Sequence, residues 1–343
     1  MTEPATPRRV DDSIVPAAST KALLPVTEAC RRFSRAGALL ASLPQVHALR
    51  ITGSDRLDFV HGQVSNDVRG LHVGGTAESL VLNHKGHALA QVRVVRRETD
   101  LYLAVEAGAG GFVQRRFEEH IIFDQVELEN LAAEIGVLTL QGGGSAVASA
   151  LAALGTDVPE AGATASVTFG DARVLVTPGR RSSATGVDVH VLARHLSDVR
   201  DVLTAAGATE ADPEILPLLR ILAGIPHAAS EGGEGVLPQE AGLEPLVSYR
   251  KGCYLGQEIM ARIEARGAVR KSLTGIVLAE EPTGRDIILE DRVVGRLGTV
   301  ARHPQLGWLA LAVVRNDVAS EAAMRAGGAQ ATFRELPWPG EAV

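Results

Sequence analysis

The order of apolar patterns most restricts the folds open to this chain: a strand–helix–strand round occurs twice, and a stretch of β structure alone follows it. From Gln45 to about Ala206, short strands alternate with helices. His47–Ile51 reads as a strand, and Ser54 or Asp55 then caps a helix whose apolar residues Leu57, Phe59 and Val60 lead to Gln63. Strands follow at Ser79–Asn83, Ala88–Val95 and Leu101–Val105, with Lys85-Gly86 at the first turn, then a helix at Gly111–His120. Further strands near Val126–Leu128 and Gly136–Gln141 lead through Gly142-Gly143-Gly144 to an Ala-rich helix, Ala146–Leu154. No Lys-Ser/Thr follows those glycines, so they read as a connector and not as a phosphate loop. The second round has strands near Ser166–Thr168, Arg173–Val176 and Val187–Val191 and a helix from about Ser197 to Ala206. This recurrence predicts two stacked α+β units, not one long doubly wound sheet.

Ile215, Leu218, Leu219 and Leu222 are spaced for a buried helix that ends at Gly224, with Pro217 disfavouring its first turn. Ser230–Gly235 reads as a Gly/Glu-rich loop. Strands at Leu273–Leu278, Asp286–Leu289, Arg292–Val300, Trp308–Val314 and Gln330–Phe333 fit a small terminal barrel or sandwich.

A chain of 343 residues with 45% hydrophobic and 22% charged residues can bury a sizeable core, which excludes a wholly disordered protein. A net charge of −7 and only 3% aromatic residues argue against general nucleic-acid binding, although a local basic groove is compatible with both. Leu309–Val314 is far too short to span a bilayer, and the first 30 residues lack an apolar signal core, so the expectation is a cytoplasmic protein without membrane contact. Cys30 and Cys253 are isolated, which excludes a disulfide framework and a self-sufficient four-cysteine metal site. His84-x-x-His87 lacks further ligands at a metal-binding spacing, and no metal is expected.

The most unusual stretch is Tyr249-Arg250-Lys251-Gly252-Cys253-Tyr254-Leu255-Gly256-Gln257-Glu258. Positive charge from Arg250 and Lys251 beside a thiol favours thiolate, while Gly252 permits close approach of a ligand or φ > 0. Gln257 and Glu258 can open the next helix, where a carboxylate suits the exposed N–H groups. The alternative is a small buried cysteine in a turn, beside solvated cations.

Lys251-Gly252-Cys253-Tyr254-x-Gly256-Gln257-Glu258 resembles the signature of the YgfZ-type folate-binding proteins, relatives of the glycine-cleavage T-protein (aminomethyltransferase) and of its eukaryotic iron–sulfur assembly homologue. Asp58–Val68, Leu82–His87, Leu219–Pro226, Leu237–Glu240 and Gly295–Val300 resemble further blocks of the family, in its order, from about residue 45 to 315. The resemblance implies an α+β, ring-like three-domain architecture: a flexible tail over 1–25, a folate-binding region of two subdomains over 26–245, the cysteine segment over 246–272 and a β-barrel over 273–343. It also implies tetrahydrofolate in a central cavity, with Arg220 pairing its glutamyl tail. Asn66, Asp67, Asn83, Lys85, Gly256, Gln257 and Glu258 are further candidate folate contacts, and Cys253 with Lys251 the candidate reactive pair. Read alone, Arg220 is a solvated arginine, and the Asn, Asp and Lys residues are turn formers, caps or surface charges.

The T-protein's catalytic Asp position aligns with Ala90 and Gln91, and its pterin-binding Thr-Gly-Glu turn with Thr185-Gly186-Val187. Neither replacement supplies a carboxylate, which excludes glycine-cleavage aminomethyl transfer. The resemblance then implies a folate-dependent accessory protein for iron–sulfur cluster assembly or repair, with client or assembly proteins as partners. Two readings stand beside it: a one-carbon transferase or demethylase on another substrate, and a folate-binding scaffold in which Cys253 is structural.

Overall fold

The computed structural model describes residues 23–338 apart from 35, 36, 45 and 107. The expected tail lies outside these residues as far as position 22; Leu24 already bridges in parallel to Ala211. Helix α1 (Val26–Ser34) and strand β1 (Ala38–Ser42) come next. The first round follows as β2 (His47–Thr52), α2 (Arg56–Gln63), β3 (Thr76–Leu82), β4 (Ala88–Arg96), β5 (Leu101–Val105), α3 (Gly110–His120) and β6 (Glu127–Asn130). Its strands form a sheet in the order β3-β4-β5-β2-β6. Alternate residues of these strands face α2 and α3, whose Phe59 and Phe117 rings meet edge to face at 5.8 Å.

The second round comprises β7 (Ile135–Gly142), α4 (Gly144–Ala152), β8 (Ala165–Phe169), β9 (Ala172–Pro178), β10 (Thr185–Leu192), α5 (Leu196–Ala205) and β11 (Thr209–Glu210). Its sheet runs β11-β1-β7-β10-β9-β8. The chain therefore begins in the second sheet with β1, leaves it to build the first, and returns through β7. The Gly136–Gln141 strand, which sequence order grouped with the first round, belongs to the second sheet.

Helix α6 (Ile215–Ala223) buries Ile215, Leu218, Leu219, Ile221 and Leu222 and ends at Gly224, which has φ +64°. Pro217 is tolerated because the amides of a first helical turn have no intrahelical acceptor to lose. The single turn α7 (Ala228–Glu231) takes in the first two residues of the Ser230–Gly235 stretch expected as a loop, and α8 (Gln257–Arg266) follows the cysteine segment. The remaining strands are β12 (Lys271–Leu278), β13 (Asp286–Leu289), β14 (Arg292–His303), β15 (Gly307–Arg315), β16 (Met324–Ala326) and β17 (Ala329–Arg334). They close into a barrel in the order β12-β15-β14-β13-β16-β17, which leaves no free edge. The fold is thus α+β, with two sheet units and a C-terminal barrel. Among the described residues, no helix is long and apolar enough to cross a membrane.

Candidate functional site

A cavity of about 280 Å³ opens where the two sheet units meet the segment around α6 and α7. Glu78, Gln91 and Glu106 come from the first unit, Arg180 and Arg181 from the second, and Arg220, Pro226 and His227 from the connecting segment. Strand alternation explains the first contribution: on β4, Ala90 is fully buried in the core while Gln91 turns to the cavity, where its Oε1 accepts from the Ala228 amide at 3.3 Å.

Arg181 is the charged centre of this wall. Its two terminal nitrogens grip both oxygens of Asp188 at 2.5 and 2.9 Å, and Nη2 also donates to Glu106. Burial disfavours the Arg181 charge, but Asp188 and Glu106 outweigh it and raise its pKa. Burial likewise opposes ionisation of Glu106, yet Arg181, then His227, Arg93 and Arg220, hold its carboxyl down at about 2. Glu106 is therefore a fixed negative charge at neutral pH and not a base waiting for a proton.

Arg220 is largely buried, not the solvated arginine its sequence context suggests. Its Nε donates to the Ile225 carbonyl, and Nη2 to Glu231 at 3.0 Å and Thr299 at 3.2 Å. Glu231, with no exposed side-chain surface, also accepts from the His227 amide and from the amide and hydroxyl of Thr299, each at 2.6 Å. Because Thr299 lies on β14, this carboxylate fastens the barrel to the cavity wall. Gly298 is needed there, since a Cβ would stand 2.5 Å from Glu231 Oε1.

His227 Nδ1 accepts from the Ala229 amide at 3.2 Å, which leaves the proton on Nε2. That Nε2 is buried without a hydrogen-bond partner, 4.0 Å from Glu106 Oε2. Burial, with Arg220 and Arg181 nearby, pushes His227 down to about 4, so it faces the cavity as a neutral donor.

The cysteine segment lies elsewhere. Lys251 is 8% exposed, and its ammonium donates to three carbonyls at the end of α2 and just beyond, those of His61, Val64 (2.6 Å) and Asn66 (3.1 Å). Burial pushes it down to about 8, which still leaves it charged at neutral pH. None of these bonds goes to Cys253, so Lys251 is a clamp on the α2 turn, where the sequence suggested a partner for the thiol. Cys253 itself is exposed and is not among the cavity's lining residues.

The other expected contacts gather around this clamp and not in the cavity. Asn66 accepts from the Asp67 amide and donates to the Glu78 carbonyl, and Asp67 accepts from the Gly70 amide. Asn83 takes the Lys85 and His87 amides, closing the β3–β4 turn beneath an exposed Lys85. Gly256 has φ +88°, and a Cβ there would lie 2.8 Å from the Asn83 carbonyl, so only glycine lets the segment press onto that turn. Gln257 donates to the Lys251 carbonyl at 3.3 Å, and Glu258 is exposed in the first turn of α8.

Of the candidates named from sequence, the cavity receives only Arg220. Sequence reasoning missed Glu106, Arg181, His227 and Glu231. One signal was present: Asp188 and His190 interrupt the apolar run of β10 at alternate positions, marking a second buried face that is polar.

Residues 25–251 match the GCVT N-terminal domain family. The chain belongs to this family. It is 29% identical over 316 residues to the tRNA-modifying protein YgfZ of Klebsiella pneumoniae (strain 342), covering 84% of this chain and 89% of that one. It is 26% identical over 315 residues to the protein of the same name from Yersinia pestis (strain Pestoides F), covering 83% and 87%. Among solved structures, the glycine cleavage system aminomethyltransferase T from Bartonella henselae superposes with a TM-score of 0.75 at 18% identity, over 91% of this chain and 89% of that one. This member of the family keeps the T-protein fold, with Gln91 at the cavity and Val187 in the core.

Proposed function

We propose that the chain is a tetrahydrofolate-binding accessory protein that supports iron–sulfur cluster assembly or repair. The cavity and its unpartnered His227 Nε2 carry this reading. A reduced pterin offers ring carbonyl and nitrogen acceptors together with amine and N–H donors. The lining matches both kinds: His227 Nε2–H donates, and Glu106 and the Gln91 amide oxygen accept. Among the described residues, Arg220 Nη1 has no protein acceptor and remains for a ligand carboxylate. At about 280 Å³ the space is near the ~300 Å³ lower end of ligand pockets, which suits the ring system with the glutamyl tail reaching outward. When bound, the folate supplies a one-carbon carrier or a reducing pteridine.

Cys253 serves the partner side in this account. Being exposed, its thiol meets a client protein, and a single thiolate holds a cluster only in passing or jointly with the client. The relatives' named action on tRNA is reached, for a chain of net charge −7, through such a client and not through general nucleic-acid binding. Complementation of a bacterial strain lacking its own family member tests this, with iron–sulfur enzyme activity as the readout. Wild type restores activity and Cys253→Ala does not; full rescue by Cys253→Ala would reduce the cysteine to a structural residue.

One observation favours a second reading, a one-carbon transferase on another substrate. Glu106, permanently ionised on the cavity wall, can stabilise a developing iminium cation even though the T-protein's Asp position has no carboxylate. Turnover of methylene-tetrahydrofolate with an amine donor, abolished in Glu106→Gln, would select it over the accessory role.

A further inference from the structure

A second pocket, of about 160 Å³, lies at the seam between the two sheets and shares no lining residue with the cavity. Three arginines line it: Arg96 and Arg97 from the end of β4 and just beyond, and Arg173 from β9. In a chain of net charge −7, such a concentration of positive charge calls for a reason. Structural pairing supplies only part of one. Arg97 donates through Nε to Asp100 at 2.5 Å and lies over the Tyr102 ring, 5.3 Å from its centroid. Arg96 gives one nitrogen to the Leu71 carbonyl, and Arg173 gives one to the Ser166 hydroxyl at 3.0 Å. Among the described residues, neither Arg96 nor Arg173 pairs with a carboxylate, and each keeps N–H donors that no protein atom takes. Glu98, exposed at the rim, is the one carboxylate in the lining.

The walls are built, not loose. Tyr102 and His190, both almost fully buried, cross the seam with a 3.0 Å hydrogen bond, and Thr177 takes the other ring nitrogen of His190 at 3.2 Å. The amide and the hydroxyl of Thr164 both hold the Gly74 carbonyl, at 2.8 and 2.9 Å, and Gly74 in turn donates to the Arg96 carbonyl at 2.7 Å. The lining thus combines the three arginines and the Thr164 and Ser166 side chains with the apolar Val73, Val95 and Leu175.

We propose that this seam binds the phosphate and sugar of a free mononucleotide, the base reaching outward because the space is only about 160 Å³. Arg96, Arg97 and Arg173 bind the phosphate, and the sugar packs against Val73, Val95 and Leu175. The site is independent of the folate reading, because the two pockets have no residue in common.

Isothermal titration of the full chain with adenosine 5′-monophosphate and, separately, inorganic phosphate tests it. The mononucleotide binds at least tenfold tighter than phosphate, and binding weakens with salt. Arg173→Ala and Arg96→Gln each weaken it about tenfold, the usual effect of losing one charge-assisted contact. Arg173 is exposed on its strand, so its loss leaves folding intact, which an unchanged melting temperature verifies. Gln91→Ala, in the other cavity, leaves mononucleotide binding as in wild type. Absence of heat with both probes, equal affinity for the two, or insensitivity to both arginine substitutions would overturn the proposal. So would loss of binding in Gln91→Ala, or equally tight binding of an oligoribonucleotide that lacks a terminal phosphate.

Discussion

In the central cavity, Arg181, Arg220, Glu106 and Glu231 neutralise one another across separate units and leave a space between them with an unsatisfied donor, His227 Nε2. In the cysteine segment, the Lys251 ammonium is hydrogen-bonded by three backbone carbonyls, and Gly256 lets the chain close onto the β3–β4 turn. The first arrangement can receive a ligand. The second fixes a local shape and leaves a thiol on the surface. Charge near a conspicuous motif is therefore not by itself a binding site; what distinguishes the two regions is whether the charges enclose an open space.

The largest expected effect comes from Glu231. Glu231→Ala leaves Arg220 buried beside an empty space and strips the His227 and Thr299 amides of their acceptor, costing about 3–5 kcal/mol in a urea titration. A loss below about 1 kcal/mol would mean that the barrel is not held to the cavity through this carboxylate. Next is Lys251→Met, which removes the clamp on the α2 turn and costs about 2–3 kcal/mol, while ligand affinity at the cavity stays within twofold. A loss of affinity as large as that of a cavity variant would erase the distinction between the two regions.

A smaller effect depends on pH. Burial lowers both His190 and His227 to about 4, whereas unfolded histidine titrates near 6.5. Between those values the unfolded chain holds more protons, so stability falls as pH drops from about 6.5 towards 4 and levels off below. From pH 7 to 5 this amounts to about 2 kcal/mol for each histidine. His190→Gln removes about half of that fall, measured as the change in urea midpoint between the two pH values. An unchanged slope would show that His190 is not buried neutral.

Much of the fold could be read from local pattern. Leu101–Val105 and Asp286–Leu289 are strands with the expected bounds, and the buried stripe of α6 ends at the expected glycine. Local polar turns at Asn66, Asp67 and Asn83 were legible too, because Asx hydrogen bonds join near neighbours. Two things were not. The pairing of β1 with β7 depends on contacts a hundred residues apart, which no local period encodes. The cavity likewise collects residues 78, 91, 106, 181, 220 and 227, each in an ordinary local setting. Arg181 drew no reading from the sequence, and Glu231 fell within the Gly/Glu-rich loop expected over Ser230–Gly235. Only the fold gives them partners.

The central claim is that the cavity, and not the cysteine segment, holds tetrahydrofolate. Calorimetric titration of tetrahydrofolate into wild type, Arg220→Ala, His227→Ala and Cys253→Ala tests it directly. The account predicts saturable binding to wild type, at least tenfold weaker in both cavity variants and unchanged in Cys253→Ala. Absence of binding to all four proteins, or a loss in Cys253→Ala equal to that in the cavity variants, would contradict it.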